Sequence, residues 1–202
     1  MPASYFDVDG TLVSTNLIPP TLYYALNQPT PLHTLGKLGK AILKAPTMVW
    51  AELRDRRLFN ETLFSTFEGM SEDRLVTLSD DVFERVLKPN LYPGSRDLVK
   101  TSLDKGHDVI LVSGALDVVV RHMADYLGAT GYIANRLEIK DRFATGKLLR
   151  PVVAGPNKAL LVRDHARSHE ARQPDRSRLQ QCVHQRSSRR CRCDGQNSRR
   201  RR

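Results

Sequence analysis

Apolar residues along this chain follow two different rhythms, and then stop. The run Ser4-Tyr5-Phe6-Asp7-Val8, closed by Asp9-Gly10, predicts a short strand leading directly into a turn. The first acids therefore stand at a strand's C-terminal end. From Ser14 to about Asn90 the rhythm is helical. Leu22-Tyr23, Leu26, Leu35, Leu38, Leu58, Leu63-Phe64, Phe67, Leu75, Leu78, Val82-Phe83 and Val86-Leu87 recur at three- and four-residue spacing. Pro19-Pro20, Pro29, Pro31, Pro46 and the Gly69-Met70-Ser71 turn divide this region into several helices with no strand between them.

Leu91-Tyr92-Pro93-Gly94 marks a fresh start, followed by a predicted helix to about Leu103 and a stop at Lys105-Gly106. The apolar run over 108–112 predicts a second strand ending at Ser113-Gly114, and the pattern over 116–127 a helix closed by Gly128 as C-cap. A third strand is expected over 131–134. Residues 137–140 and 147–153, with Thr145-Gly146 between them, read as a hairpin, and 156 to about 165 as a final helix. Strands alternating with helices predict a parallel, Rossmann-like α/β sheet carrying an inserted helical cap. The expected units are a core of residues 1–14 and 91–166, a cap of 15–90, and a tail of 167–202.

Composition changes the picture only at the C-terminal end. The 202 residues are 40% hydrophobic and 27% charged, enough apolar material for a packed core. The net charge is +10, yet residues 163–202 hold thirteen Arg against four acids, so the rest of the chain is close to neutral. From Arg163 onward Leu179 and Val183 are the only large aliphatics, and there is no Ile, Phe, Tyr, Trp, Met or Lys. A segment of this composition cannot offset its ordering entropy and is expected to be disordered. All three cysteines, Cys182, Cys191 and Cys193, fall in it, leaving the body without a disulfide framework. No apolar run reaches the length of a membrane span and the N-terminus has no signal-like pattern, so a cytoplasmic protein is expected.

The chemistry lies at the strand ends. Asp7 and Asp9 are two residues apart, which sends both carboxylates to the same side. Such a pair suits a hard cation such as Mg²⁺, with one carboxylate as nucleophile and the other moving a proton; an Asx-turn between strand and helix is the plain alternative. Ser113 and Gly114 end the second strand, where open α/β sheets build their sites. The Ser113 hydroxyl and neighbouring N–H groups at a helix start suit phosphoryl oxygens, or a simple N-cap. Lys158 near the last helix's N-terminus could neutralise the crowded negative charge, or be a solvated lysine.

Taken together, these residues resemble the haloacid dehalogenase superfamily, in its phosphoserine-phosphatase-like subfamily IB. Phe6-Asp7-Val8-Asp9-Gly10-Thr11-Leu12 is similar to the first motif, Ile110-Leu111-Val112-Ser113-Gly114 to the second, and Lys158 to the third-motif lysine. The helical insertion and the Tyr92-Pro93-Gly94 entry resemble that branch as well. The resemblance implies a phosphatase acting on a small phosphorylated substrate. Asp7 would be phosphorylated, Asp9 would serve as acid and base, Thr11, Ser113 and Gly114 would hold the phosphoryl group, and Lys158 would stabilise its charge. Mg²⁺ would be bound through Asp7 and the backbone carbonyl of Asp9.

Two features depart from that family. Its fourth motif, an acidic loop after another apolar strand, has no counterpart, since the corresponding stretch reads Arg176-Ser177-Arg178-Leu179-Gln180-Gln181-Cys182-Val183. The end of the chain thus reads as lost or out of frame, the activity as weak or absent, and the edge of the first strand as exposed. No arginine stands at Thr66-Phe67-Glu68-Gly69 to match the cap arginine that holds the substrate carboxylate in phosphoserine phosphatases. The alternative reading is a noncatalytic protein that contacts nucleic acid or anionic lipid nonspecifically through its Arg-rich tail. The lysine-flanked apolar segment over 35–53 suits a membrane surface or, more simply, packed cap helices. Cys182, His184, Cys191 and Cys193 match no common zinc site.

Overall fold

The computed structural model describes residues 2–27 and 56–172. Strands β1 (Ala3–Asp7), β2 (Asp108–Leu116) and β3 (Gly131–Asn135) form a parallel sheet in that order. Ala3 pairs with Asp108 and Asp7 with Val112, so β1 ends level with the middle of β2. Val109, Ile110, Leu111 and Val112 are all buried. Both faces of β2 are therefore covered, which is why it reads as an unbroken apolar run rather than an alternating one.

Parallel strands need long crossovers, and helices supply them. Between β1 and β2 run α1 (Ile18–Leu26), α2 (Arg56–Phe64) and α3 (Glu72–Val82), then a short π-helix over Phe83–Leu87 and α4 (Ser95–Asp104). Helix α5 (Asp117–Leu127) links β2 to β3, and Gly128 ends it in the left-handed conformation at φ 73°, the C-cap that the sequence predicts. A hairpin of β4 (Leu137–Lys140) and β5 (Phe143–Leu148) precedes α6 (Gly155–Arg172). Among the described residues no helix is long and apolar enough to cross a membrane. Residues 173–202 with their cysteines, and the lysine-flanked stretch over 35–53, lie outside the described residues, while positions 167–172 of the expected tail belong to α6.

One continuous core joins the sheet to the inserted helices. Val8, Leu12, Leu111, Val119 and Met123 pack in the same buried cluster as Tyr24, Phe64, Phe67, Leu75 and Val82. Where the insertion meets α5, Ser79 Oγ lies 2.8 Å from His122 Nε2, and His122 Nδ1 lies 3.2 Å from Asp80. Tyr24 donates its hydroxyl to the Leu75 carbonyl at 3.1 Å.

Three boundaries differ from the sequence expectation. The hairpin turns at Asp141-Arg142, both with positive φ, rather than at Thr145-Gly146. Gly146 instead sits inside β5, at φ 77°, where a Cβ would stand 3.1 Å from the Ser65 carbonyl oxygen. Its glycine serves close approach, not chain reversal. Strand β2 continues past Ser113-Gly114 to Leu116, with a register shift after Val112, so Ser113 is not the N-cap of α5. Helix α6 reaches Arg172 rather than stopping near His165, since Tyr5 bonds His165 at 2.9 Å and His169 bonds Asp108 at 2.8 Å.

The outer side of the hairpin meets the insertion through main-chain bonds. Gly69 N–H donates to the Ala144 carbonyl at 2.8 Å, Ala144 N–H to Met70 at 2.8 Å, and Glu72 N–H to Arg142 at 2.9 Å. Arg142 also pairs with Asp73 at 3.0 Å, but both side chains are exposed and the pair adds little.

Two outcomes follow from these contacts. Gly146→Ala places a side chain in left-handed backbone and against Ser65, and should lower stability by about 1–2 kcal/mol in urea unfolding. Burial raises the Asp117 carboxyl above its ordinary value, against the Val118 N–H and the nearby Arg136 and Arg121, which lower it. The folded state therefore holds that proton more tightly, and the ionised carboxylate costs stability above its folded pKa. Asp117→Asn should raise the melting temperature at neutral pH. That advantage should shrink with falling pH and vanish below about 4, the ordinary carboxylate value.

Candidate active site

Strand β1 delivers Asp7 to its C-terminal end, where the chain turns sharply. The N–H groups of Thr11, Leu12 and Val13 converge on the Val8 carbonyl at 3.2, 3.0 and 3.1 Å, and Gly10, at φ 77°, donates to the Val13 carbonyl at 2.8 Å. With Val8, Leu12 and Val13 buried beneath it, this loop is fixed in place. Asp7 and Asp9 both line one cleft of about 140 Å³, as their spacing predicts.

Lys158 comes from 151 residues further along the chain, in the first turn of α6, and its Nζ donates to Asp7 Oδ1 at 2.5 Å. The lysine side chain is 27% exposed and the aspartate 46%, so the pair faces the cleft rather than bulk solvent alone. Ser113 is fully buried. Its hydroxyl donates to Asp9 Oδ2 at 3.0 Å and accepts the Ala115 N–H at 3.0 Å. It positions the second carboxylate and does not itself line the cleft. Thr11 is exposed on the turn and likewise lies off the lining surface among the described residues.

Gly114 does line the cleft, under tight constraint. A Cβ there would stand 3.2 Å from Asn60 Nδ2, 3.3 Å from the Val153 carbonyl oxygen and 3.4 Å from Leu17 Cδ1. The remaining walls include Asn16, Leu17 and Phe59 from the inserted region and Val153 and Ala154 from the loop before α6.

The sequence pattern did not point to Asn135 or Asn60. Asn135, 1% exposed at the end of β3, donates Nδ2 to the Gly114 carbonyl at 2.7 Å, and its Oδ1 accepts the Val153 N–H at 2.7 Å. It bolts the end of β2 to the loop that launches α6. An asparagine closing an apolar strand is the signal that was available, since such a residue pairs with backbone where strands stop. Asn60 sits in the middle of an amphipathic helix, where its polarity reads as ordinary surface.

Among the described residues no three His, Cys, Asp or Glu side chains gather for a metal ion. Two carboxylates on one cleft nevertheless form an oxygen donor set that fits Mg²⁺, which commonly takes one or two carboxylates and completes its shell with water and substrate phosphate. The expected fourth-motif position over 176–183 lies outside the described residues.

Fold and site together define a parallel α/β protein with an acidic strand-end site beneath inserted helices. The chain belongs to the family of haloacid dehalogenase-like hydrolases, which it matches over residues 5–178. It is 30% identical over 99 residues to phosphoserine phosphatase SerB1 of Mycobacterium tuberculosis, covering 49% of this chain and 32% of that one. It is 29% identical over 164 residues to SerB2 of the same organism, covering 80% and 35%. The chain thus spans about a third of the length of these relatives. A solved structure described as a phospho-aspartyl intermediate analogue of phosphoserine phosphatase shares the fold, with TM-score 0.57 and 20% identity over 84% of this chain and 74% of that one.

Replacing Asn135 by Leu keeps the heavy-atom branching but leaves the Gly114 carbonyl and Val153 N–H without their side-chain partners in the interior. Unfolding by urea should show a loss of about 2–4 kcal/mol, more than a single exposed hydrogen bond would explain.

Proposed function

We propose that this domain is a Mg²⁺-dependent phosphomonoester hydrolase that works through an aspartyl-phosphate on Asp7. The observation that carries this reading is the meeting of Lys158 Nζ with Asp7 Oδ1 in a cleft that Asp9 shares. A lone acid pair would serve equally well as a turn, and a lone lysine as a solvated side chain. A lysine held against one of two acids is instead a preorganised charge cluster suited to a phosphoryl group.

With Lys158 on Oδ1, the other Asp7 oxygen attacks phosphorus. The bond to the leaving oxygen breaks, and Asp9 gives that oxygen its proton. Water then attacks the phosphorus of the aspartyl-phosphate, Asp9 takes back a proton, and inorganic phosphate leaves with Asp7 restored. Through the sequence Ser113 keeps the Asp9 carboxylate oriented, while Gly114 leaves room beside the phosphoryl oxygens. Lys158 balances the added negative charge. Mg²⁺, held by the Asp7 carboxylate and the backbone carbonyl of Asp9, would neutralise phosphoryl oxygens when bound.

The test is phosphate release from an aryl phosphate by the full chain, with and without Mg²⁺. Activity should require the metal and fall by at least about a thousandfold in Asp7→Asn, which removes the nucleophile while keeping its shape. A folded wild-type chain that releases no phosphate, or an Asp7→Asn variant as active as wild type, overturns the proposal.

A further inference from the structure

Six polar side chains are buried in the described residues: Thr21, Asn60, Ser79, Ser95, Ser113 and Asn135. Five of them have side-chain hydrogen bonds. Thr21 bonds Leu17, Ser79 bonds Val76, Ser95 bonds Leu12, Ser113 bonds Asp9 and Asn135 bonds Gly114. The sixth, Asn60, is 4% exposed and has no side-chain hydrogen bond among the described residues; the one fully enclosed polar side-chain atom without a partner there is Arg74 Nε, so the Asn60 amide opens onto the cleft. An amide that lines a cleft without a protein partner is free to donate to and accept from a ligand there.

The position of that amide says what the use is. Asn60 lines the same cleft as Asp7, Asp9 and Lys158, and its Nδ2 stands over Gly114, 3.2 Å from where a Cβ would be. Beside it, Phe59 and Leu17 form apolar wall. A ligand whose phosphoryl group rests against Asp7 and Lys158 therefore extends its leaving group past the uncharged amides of Asn16 and Asn60 and the apolar side chains of Leu17, Ile18 and Phe59, among the described residues.

We propose that Asn60 is a specificity residue that reads a hydroxyl on the leaving group, and that the substrates are phosphate monoesters of small neutral polyhydroxy compounds. This rests on the phosphatase reading and names the substrate class for that site. A carboxamide offers a donor and an acceptor without charge, which matches a hydroxyl on both counts. The C–H faces of a polyol match the Phe59 and Leu17 wall. A zwitterionic amino-acid leaving group would instead have to surrender hydration of two charges to this amide and apolar surface, which is unfavourable. The neighbouring turn does not help such a ligand: Thr66 Oγ1 bonds the Leu63 carbonyl at 2.7 Å, and Phe67 is buried in the core at 2% exposure.

The experiment compares the full chain with Asn60→Leu and Asn60→Ser on three substrates: glycerol phosphate, phosphoserine and an aryl phosphate without hydroxyls. Wild type should prefer glycerol phosphate to phosphoserine in kcat/KM. The ratio of glycerol phosphate to aryl phosphate should fall about tenfold or more in Asn60→Leu and recover in part in Asn60→Ser, which restores a hydroxyl. A merely structural role would lower both substrates alike and leave the ratio unmoved, and that result overturns the proposal. So does a preference for phosphoserine. If the chain releases no phosphate from the aryl compound, the phosphatase reading fails separately. Calorimetry then decides the role of Asn60. Glycerol phosphate should bind more tightly than inorganic phosphate, with the difference lost in Asn60→Leu, and equal binding in wild type overturns it.

Discussion

Everything at the site depends on the amide of Asn135. The end of β2 and the loop before α6 are separated by dozens of residues, and neither has a reason of its own to stop beside the other. Asn135 gives them one, through its bonds to Gly114 and Val153. That contact sets where α6 begins, and hence where the Lys158 ammonium falls relative to Asp7. The paired hydrogen bonds are buried, so water cannot easily substitute for them, and their geometry is correspondingly rigid. A charge cluster is only as well oriented as the backbone that presents it, and here one side chain sets that backbone.

Much of the architecture was legible in the pattern of apolar residues. The first two strands, the described helices between them and α5 with its glycine cap stand where periodicity and turn residues place them. So do the acids at the end of β1 and the lysine of α6, since their types and spacing carry chemistry independent of the fold's detail. What escaped was set by contacts between distant residues. Thr145-Gly146 has the composition of a turn, yet Gly146 is there because Ser65 passes too close for a side chain. The true turn uses Asp141-Arg142, whose tolerance of positive φ a reading centred on glycine overlooks. Ser113 was expected at a helix start, but β2 runs on to Leu116 and the Ser113 hydroxyl bonds Asp9. Helix α6 outlasts its apolar pattern because His165 and His169 find polar partners on Tyr5 and Asp108. Periodicity records burial, and these are hydrogen bonds.

The inserted helices are a cap in topology but part of the core in packing. Tyr24 and Phe67 lie with their rings 5.1 Å apart in the same cluster as the sheet residues. Removing the insertion would therefore strip apolar cover from the sheet as well as a wall from the cleft. The acids at the strand ends and the cleft-lining residues of the insertion rest on one hydrophobic foundation. The two can be tuned separately only where side chains face the cleft and not the core.

The main-chain ladder between residues 69–72 and β5 has a mechanical meaning. It fastens one margin of the cap to the hairpin with backbone bonds, which resist sliding more than side-chain contacts do. Any displacement of residues 69–72 would then carry the hairpin with it, so this margin of the insertion and β5 behave as one piece. The hairpin, remote in sequence from the insertion, is thereby made part of its support.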